Sequence, residues 1–239
     1  MLTEYIVVDL EMTGLKPARD KILEIGAVHM KDGQVIDEYE MLVNPGISIP
    51  EQVTELTGIT QEMAADGADV KSAVTGFLKF AGILPLVGHN ILCDYGFLKH
   101  NAVNHNLDFT ASVVDTLKLS RKLCPDLEKK TLEAMCDYFR IPQEKEHRAL
   151  HDAKATAYLM ERLRETYEAL QPELFEPAQV AYKVRKQGPI TPRQKKYLKE
   201  LVNYHKIELS VVIDGLTKNE ASRLTDRILS QYGRMPKTL

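Results

Sequence analysis

The chain has 239 residues, of which 44% are hydrophobic, so it is long enough for one domain of ordinary size and an additional module. No apolar run approaches the ~18 to 20 residues of a membrane span. The N-terminus has neither the basic start nor the apolar core of a secretory signal. The three cysteines, Cys93, Cys124 and Cys136, lack C-x-x-C spacing. This argues against a disulfide framework and a zinc site, and we expect a reducing, cytoplasmic location.

The net charge of −3 conceals a division of the chain into an acidic and a basic part. Residues 183–239 carry thirteen bases and five acids, a net charge of +8, which leaves −11 for residues 1–182. A basic segment after an acidic body favours contact with a polyanion. Lysines that only solvate helices would produce the same count, so the charge alone leaves both interpretations open.

The first predicted element is a buried strand that ends in two carboxylates. Residues 6–8 form a continuous apolar run of the kind found in central strands, and Asp9 and Glu11 follow. Successive side chains of a strand alternate between faces, so these two acids point to the same side. Burying two like charges together is costly unless a cation lies between them. This stretch alone leaves open the alternative that the strand ends at Asp9 and that both acids face water.

The next elements predict an antiparallel meander followed by a helix. Residues 22–28 and 35–43 form two strands joined by a turn at residues 31–33. A helix is expected after Pro50, with Ser48 as its cap. Further along, residues 70–81 have apolar positions at helical spacing, and a fourth strand is predicted over residues 83–87.

The fourth strand leads into a helix that carries Asp94 on its apolar face. Asn90, Asp94, Phe97 and Asn101 fall at the i, i+4, i+7 spacing of one helix face. The neighbouring positions are typical of a protein core. A carboxylate at this place needs a partner.

A long helix near the end of the predicted α/β domain carries a second unusual acid. After a strand-to-helix unit at residues 113–117 and a helix over residues 132–139, residues 144–153 lead into a helix that reaches about residue 169. Asp152 occupies a position of this helix that the pattern reserves for core residues. His147 lies five residues earlier, at or just before the start of the helix.

The sequence patterns therefore predict a domain over residues 1–170, a linker over residues 171–190 and a basic helical module over residues 191–239. The linker contains several prolines and has no sustained periodicity. In the module, Thr191 and Thr217 are each expected to cap a helix.

The side chains singled out so far predict metal-assisted phosphodiester hydrolysis. They are Asp9, Glu11, Asp94, Asp152 and His147. Ligands that offer only oxygen favour a hard cation such as Mg²⁺ or Mn²⁺. Two such ions ~3.5 to 4 Å apart, bridged by Asp9, stabilise the attacking and leaving oxygens of an in-line displacement. Histidine, with a reference pKa of ~6.5, deprotonates an attacking water at neutral pH.

Three motifs in this order resemble the DEDDh, or DnaQ-like, 3′–5′ exonucleases. They are Asp-x-Glu-x-Thr-Gly at residues 9–14, His-Asn-x-x-x-Asp-x-x-Phe-Leu at residues 89–98 and His-x-x-x-x-Asp at residues 147–152. The resemblance implies an α/β, RNase H-like fold, in which an antiparallel meander and parallel strands form one mixed sheet flanked by helices. It also implies that the four acids are ligands of two divalent cations and that the histidine is the general base. The DEDDy branch would carry tyrosine at position 148, where this chain has arginine.

The resemblance extends to the substrate side of the site. It implies that Met12 and Thr13 abut the terminal nucleotide, and that His89 and Asn90 shape the pocket either structurally or through substrate contact. Within the family, the first domain resembles the bacterial proofreading exonucleases of DNA polymerase III. This favours single-stranded DNA with a 3′ end as the substrate, although RNA-trimming members share the five catalytic residues.

The basic module resembles a small helical unit that is appended to bacterial and phage DNA-metabolism proteins. This implies either contact with single-stranded nucleic acid or docking to a DNA polymerase or another replication or repair protein. A non-catalytic tethering protein is the alternative from another class, and the presence of all five catalytic residues weighs against it. An aspartyl-phosphate phosphohydrolase would need an aspartate two residues after its nucleophile, where this chain has Glu11.

Overall fold

The first three strands form the predicted antiparallel meander. A computed structural model describes residues 2–142, 147–209 and 211–236. The strands are β1 (Glu4–Met12), β2 (Ile22–Lys31) and β3 (Gln34–Leu42), and β2 pairs antiparallel with both neighbours. The turn between β2 and β3 places Asp32 and Gly33 in the left-handed region, with φ of 49° and 77°, as tight hairpins require. Because β1 continues to Met12, the alternative in which the strand ends at Asp9 is wrong.

Three further strands complete a mixed sheet, which confirms the predicted fold class. They are β4 (Leu86–Gly88), β5 (Ser112–Asp115) and β6 (Ala178–Gln179), and the order in the sheet is β3-β2-β1-β4-β5-β6. The β1–β4 and β4–β5 pairs are parallel, whereas β6 runs antiparallel to β5. The fourth strand begins later than the predicted residue 83. Ile83 is fully exposed, and Pro85 has no amide proton to donate to a ladder.

Seven helices of the described chain surround the sheet. They are α1 (Glu51–Thr57), α2 (Gln61–Ala65), α3 (Val70–Ala81), α4 (Leu92–Asn104), α5 (Thr116–Leu123), α6 (Leu132–Phe139) and α7 (Ala149–Tyr167). The helices predicted over residues 70–81 and 132–139 are confirmed. The predicted Ser48 cap is wrong, because the N-cap of α1 is Pro50 and no side chain caps it. No described helix has the length and apolar character needed to cross a membrane.

The two faces of β1 bury different sets of side chains. Tyr5 and Val7 pack into a core cluster with side chains of α5, α6 and α7. Ile6, Val8 and Leu10 pack into a second cluster with side chains of α3 and α4. The alternation of the strand continues past these residues, so the acids at positions 9 and 11 share the face covered by α7.

The chain divides into two compact units, and the segment predicted as a linker contributes to the first. One unit comprises Met1–Pro45 and Ile49–Val184, and the other comprises Gly46–Ser48 and Arg185–Leu239. Residues 171–190, predicted to be a linker, contain a short 3₁₀-helix whose Phe175 is buried, and they contribute β6 to the sheet. These contacts depend on single side chains and one short strand, which leave no periodic pattern in the sequence.

The second unit contains two helices with the predicted caps. They are α8 (Pro192–His205) and α9 (Lys218–Tyr232), which pack around buried Leu198, Leu201 and Ile228. Thr191 and Thr217 each accept a hydrogen bond from the third residue of their helix and form a complete capping box.

Candidate active site

The end of β1 supplies the first two acids of the site. Asp9 lies opposite Gly26 on β2, and Glu11 lies opposite Glu24. Both Asp9 and Glu11 are half-buried. The register shifts between Glu11 and Met12, so the regular ladder ends just after the second acid. The pair therefore lies at the end of a strand that is held in place by regular pairing along its length.

Asp94 reaches this strand from the first turn of α4. Its side chain is 5% exposed, and its Oδ1 accepts a hydrogen bond of 3.1 Å from the backbone amide of Leu10. The partner that the sequence required for this buried carboxylate is thus the backbone between Asp9 and Glu11. The hydrogen bond fixes Asp94 beside both acids.

The start of α7 brings the last two residues to the same place. Ligand atoms of Glu11, His147 and Asp152 all lie within 4.8 Å of one another. His147 is exposed, and its φ of 56° places it in the left-handed region. Residues 143–146, which belong to the segment predicted to lead into the helix, lie outside the described residues. The described structure therefore brings all five predicted catalytic residues together.

A glycine allows α7 to begin so close to the sheet. A Cβ atom added to Gly26 would lie 2.1 Å from the carbonyl carbon of Ala149 and 2.1 Å from the amide nitrogen of Leu150. No side chain fits between these atoms, so the first turn of α7 lies directly against the backbone of β2. Because Gly26 pairs with Asp9, this close approach places the helix start beside the acids of β1.

Burial and neighbouring carboxylates raise the pKa values of three of the four acids. Burial, followed by the charges of Asp94, Glu11 and Asp152, raises the pKa of Asp9 well above its usual range. Burial and the neighbouring charge of Asp152 raise the pKa of Glu11 to about 8. Burial likewise raises the pKa of Asp94 to about 7, against the opposing effect of the backbone hydrogen bonds that its carboxylate accepts.

This electrostatic arrangement and the donor set fit a divalent cation. A cluster of ionised carboxylates without a counter-charge is unfavourable in a partly desolvated site, and protonation relieves it only in part. Carboxylate oxygens at this density are the ligands that Mg²⁺ and Mn²⁺ prefer. The ligand role of the acids and the base role of His147 stay predictions.

Met12 and Thr13 lie at the end of β1, next to the acids. Thr13 is buried, and its Oγ1 accepts a hydrogen bond of 2.9 Å from the backbone amide of Lys21. Met12 is half-buried and packs against the cluster of α3 and α4. These contacts hold the segment after Glu11 in one conformation. The contact of Met12 and Thr13 with a terminal nucleotide stays a prediction.

His89 connects three parts of the chain. Its Nδ1 lies 3.0 Å from Thr116 Oγ1, and its Nε2 lies 2.8 Å from the carbonyl oxygen of Lys130. A carbonyl oxygen can only accept a hydrogen bond, so Nε2 donates to the carbonyl of Lys130. Burial lowers the pKa of His89. Both ring nitrogens thus have protein partners, which supports the structural interpretation of this residue.

Asn90 occupies the turn between β4 and α4 with a left-handed φ of 68°. Its backbone amide donates a 3.1 Å hydrogen bond to Asp115 Oδ1, and that oxygen also caps α5 by accepting from Leu117. Asp115 therefore fixes the loop that precedes Asp94. Substrate contact by Asn90 stays a prediction.

The sequence interpretation missed Glu24 and Arg148, which form an ion pair beside the site. Glu24 is fully buried, and Arg148 precedes the first residue of α7. A signal for Glu24 was present, because it is a charged residue within the apolar run of β2. The same reasoning that singled out Asp152 would have found it.

The comparison with protein families gives one match that contains the site. A model of the family described as "Exonuclease" matches residues 6–160. This range includes Asp9, Glu11, Asp94, His147 and Asp152.

Curated relatives share the same part of the chain. A protein of Clostridium perfringens (strain 13 / Type A) named DNA polymerase III PolC-type is 41% identical over 157 residues, which cover 66% of this chain and 11% of that protein. The protein of the same name from Bacillus subtilis (strain 168) is 39% identical over 159 residues, with coverage of 65% and 11%. The chain thus spans about a tenth of the length of these relatives.

Solved structures with a similar fold are exonucleases. Exonuclease X, in complex with 5′ overhanging duplex DNA, aligns with a TM-score of 0.56 and 26% identity over 68% of this chain and 92% of that chain. Exonuclease I of E. coli, in complex with a dT13 oligonucleotide, aligns with a TM-score of 0.62 over 72% of this chain and 42% of that chain. Its identity of 20% carries information on the fold alone.

Proposed function

This chain belongs to the exonuclease family, and from that membership we propose that it is a metal-dependent 3′–5′ exonuclease. The proposed substrate is single-stranded nucleic acid, with DNA preferred, and the products are nucleoside 5′-monophosphates. The observation that carries the proposal is the convergence of four carboxylates and His147 at the end of β1.

Asp9, Glu11, Asp94 and Asp152 would hold two divalent cations, Mg²⁺ or Mn²⁺. When bound, these ions stabilise the charge that develops on the attacking and leaving oxygens of a phosphodiester displacement. The raised pKa values of Asp9, Glu11 and Asp94 support this assignment, because burial and neighbouring charges make their ionised forms unfavourable without added positive charge.

The protein's own residues orient the substrate and move the proton. His147 is exposed at the edge of the acid cluster, where an imidazole nitrogen is accessible to a water molecule. The imidazole takes a proton from the attacking water. Met12 and Thr13, at the end of β1, hold the terminal nucleotide against the acids.

A side-by-side digestion tests whether DNA or RNA is the preferred substrate. Purified protein with Mg²⁺ or Mn²⁺ is incubated with matched single-stranded DNA, single-stranded RNA and a DNA duplex with a mismatched 3′ end, each labelled at the 5′ end. We expect a ladder that shortens from the 3′ end, fastest on single-stranded DNA. Faster digestion of RNA would instead establish the alternative of an RNA-trimming exoribonuclease. No digestion of any substrate would favour a non-catalytic, polymerase-tethering protein.

Replacing His147 with alanine separates its role as a base from a role as a metal ligand. We expect kcat to fall by roughly 10²-fold or more, because a positioned general base contributes about that much. The affinity for Mn²⁺, measured by calorimetry, should stay within about threefold of the original value. A collapse of Mn²⁺ affinity would instead make His147 a ligand, a role that its distance from Glu11 and Asp152 also permits.

The second unit is proposed to contact the nucleic-acid backbone. The DNA polymerase III relatives and the DNA-bound exonuclease structures support DNA as the polyanion, and the charge of residues 183–239 is complementary to it. Docking of a DNA polymerase or another replication or repair protein is the second candidate for this unit.

Neutralising two exposed bases of the second unit tests this contact. Arg193→Gln with Arg227→Gln should weaken binding of single-stranded DNA most at low salt. It should also reduce the slope of log K against log salt by about 0.7 for each phosphate that the protein no longer neutralises. Lys71→Gln with Lys79→Gln, which changes two exposed bases of α3, is the matched control. An unchanged slope in the first variant would favour protein docking.

A further inference from the structure

The carboxylate of Glu24 binds the residues on either side of the α7 start. Its Oε2 accepts a hydrogen bond of 2.9 Å from the backbone amide of Ala149, the first residue of the helix. The Arg148 guanidinium donates through Nε to both carboxylate oxygens, at 3.2 and 3.1 Å, and through Nη2 to Oε1 at 2.5 Å. The side chain of Arg148 and the backbone amide of Ala149 thus both bind one carboxylate on β2.

The Glu24 side of the ion pair is buried, and the Arg148 side makes a second contact with an acid on β3. The Glu24 side chain has no exposed surface, and that of Arg148 is 21% exposed. Arg148 Nη2 also lies 3.3 Å from Glu40 Oε1 on β3. Arginine holds a planar fork of donors that matches a carboxylate, and a desolvated pair of this kind has strong directional preference. The contact therefore specifies the position of the chain at residue 148 more narrowly than an exposed pair would.

Glu24 is not available as a further metal ligand. Both of its oxygens accept hydrogen bonds from Arg148 or Ala149. It nevertheless lies directly opposite Glu11 on the neighbouring strand, where like charges repel. The charge of Glu24 still contributes to the raised pKa of Asp9 and Glu11, and the charge of Arg148 opposes this effect at Glu11.

In the sequence, Arg148 lies between His147 and Asp152, the two proposed functional residues of this segment. His147 immediately precedes Arg148 and adopts a left-handed backbone conformation, which costs a non-glycine residue about 1 kcal/mol or more. Such a conformation persists only when the surrounding structure holds it. On the other side, the backbone amide of Asp152 donates to the carbonyl oxygen of Arg148 at 3.0 Å. Fixing residue 148 therefore fixes the backbone from which both side chains reach Glu11.

We propose that the Glu24–Arg148 ion pair positions His147 opposite the acids of β1. The inference rests on the proposed function, because the base role of His147 belongs to it. Glu24 and Arg148 are positioning residues, which act through His147 and touch neither the substrate nor a cation. Removing the pair lets the backbone at His147 relax and moves the imidazole away from the attacking water.

The kinetic test is a double-mutant cycle between Arg148 and His147. Arg148→Met, which retains the length of the side chain and removes its donors, should lower kcat by about 10- to 100-fold, the cost of a misplaced catalytic group. KM should stay within about threefold, because substrate binding is not the step affected. In the His147→Ala background, the same change should lower kcat by less than about threefold, since there is no imidazole left to position.

Hydrogen exchange of the metal-free protein provides a readout that is independent of activity. In Arg148→Met and in Glu24→Gln, peptides that cover residues 147–153 should exchange at least about tenfold faster, whereas the second half of α7 stays protected. Glu165→Gln breaks the exposed Arg162–Glu165 pair on the same helix and is the matched control. It should leave kcat and exchange unchanged.

The outcomes separate this inference from the proposed function. A wild-type protein that digests no nucleic acid refutes the exonuclease, and unchanged exchange at residues 147–153 refutes the positioning role. With active wild type, an equal loss of kcat in both backgrounds, or no loss in either, overturns the inference. Should Arg148→Met fail to fold, Arg148→Lys retains the charge without the fork and should lower kcat by about 3- to 10-fold in the His147 background only.

Discussion

Replacing Asp9 with asparagine should abolish nuclease activity and leave the folded protein intact. We expect kcat at saturating Mg²⁺ to fall by at least about 10³-fold, which corresponds to roughly 4 kcal/mol of transition-state stabilisation. Asparagine has the same shape as aspartate, but it cannot supply the negative charge that the proposed cations would need.

The same substitution should not destabilise the metal-free protein. Burial and four neighbouring acids raise the pKa of Asp9 well above its usual range, so its ionised form is unfavourable in the fold. A neutral amide removes that repulsion, and the melting temperature without metal should be equal to or higher than that of the wild type. A loss of activity that came from unfolding would show the opposite change.

A control variant shows whether the effects of Asp9→Asn come from the charge at position 9. Asp37→Asn, an exposed change on β3, is the control and should leave kcat and the melting temperature unchanged. An Asp9→Asn protein that retains more than about a tenth of the wild-type kcat would remove Asp9 from the catalytic site.

The stability of the metal-free protein should fall as the pH rises from about 5 to 8.5. In the folded chain the pKa of Asp94 is raised to about 7 and that of Glu11 to about 8, from ordinary values of 3.8 and 4.5. Between these limits the folded state binds more protons than the unfolded state, so the free energy of unfolding decreases with pH. Each pKa unit corresponds to about 1.4 kcal/mol, and solvent screening reduces the share of the half-buried Glu11.

The expected loss is several kcal/mol, or about 10 °C in melting temperature for a chain of this size. Thermal unfolding is followed by circular dichroism at several pH values in the presence of a chelator. Millimolar Mn²⁺ should reverse most of the loss at pH 8, because a cation that binds only the folded state stabilises it by RT ln(1 + [L]/Kd).

Neutral variants assign the pH dependence to the acid cluster. Asp94→Asn should flatten the decline, because it removes one group whose pKa is raised in the fold. Asp137→Asn on α6 changes an exposed acid and should preserve the wild-type slope. A decline that is as steep in Asp94→Asn as in the wild type, and that Mn²⁺ leaves unchanged, would contradict a cation site built on these carboxylates.

Local sequence patterns were sufficient for most of the elements that position the site. The alternation of β1 placed Asp9 and Glu11 on one face, and that face packs under α7 in the structure. Helical spacing identified Asp94, which is buried, and Asp152, which is half-buried, as unusual charges, and threonine caps identified the starts of α8 and α9. These predictions succeeded because side-chain periodicity and capping depend on residues close together in sequence.

Short or weakly patterned elements were not predicted. Five-residue α2 and two-residue β6 are too short to show a period, and β6 exists because it pairs with β5. The predicted Ser48 cap failed because the residue that precedes α1 is Pro50, which is extended, and no side chain caps the helix. For β6, pairing with a strand that is distant in the sequence decided the local structure.

The sequence by itself identified the candidate residues for the chemistry, because three motifs bring four carboxylates and a histidine into one recognisable set. Only the tertiary structure decided how the starts of α4 and α7 are held beside the acids of β1. That answer involves a glycine whose missing Cβ makes room for the helix, a backbone amide that binds Asp94, and a buried ion pair at positions 24 and 148. These contacts join residues as far apart as 125 positions in the chain. Their partners are determined by packing in three dimensions, and no local pattern in the sequence specifies them.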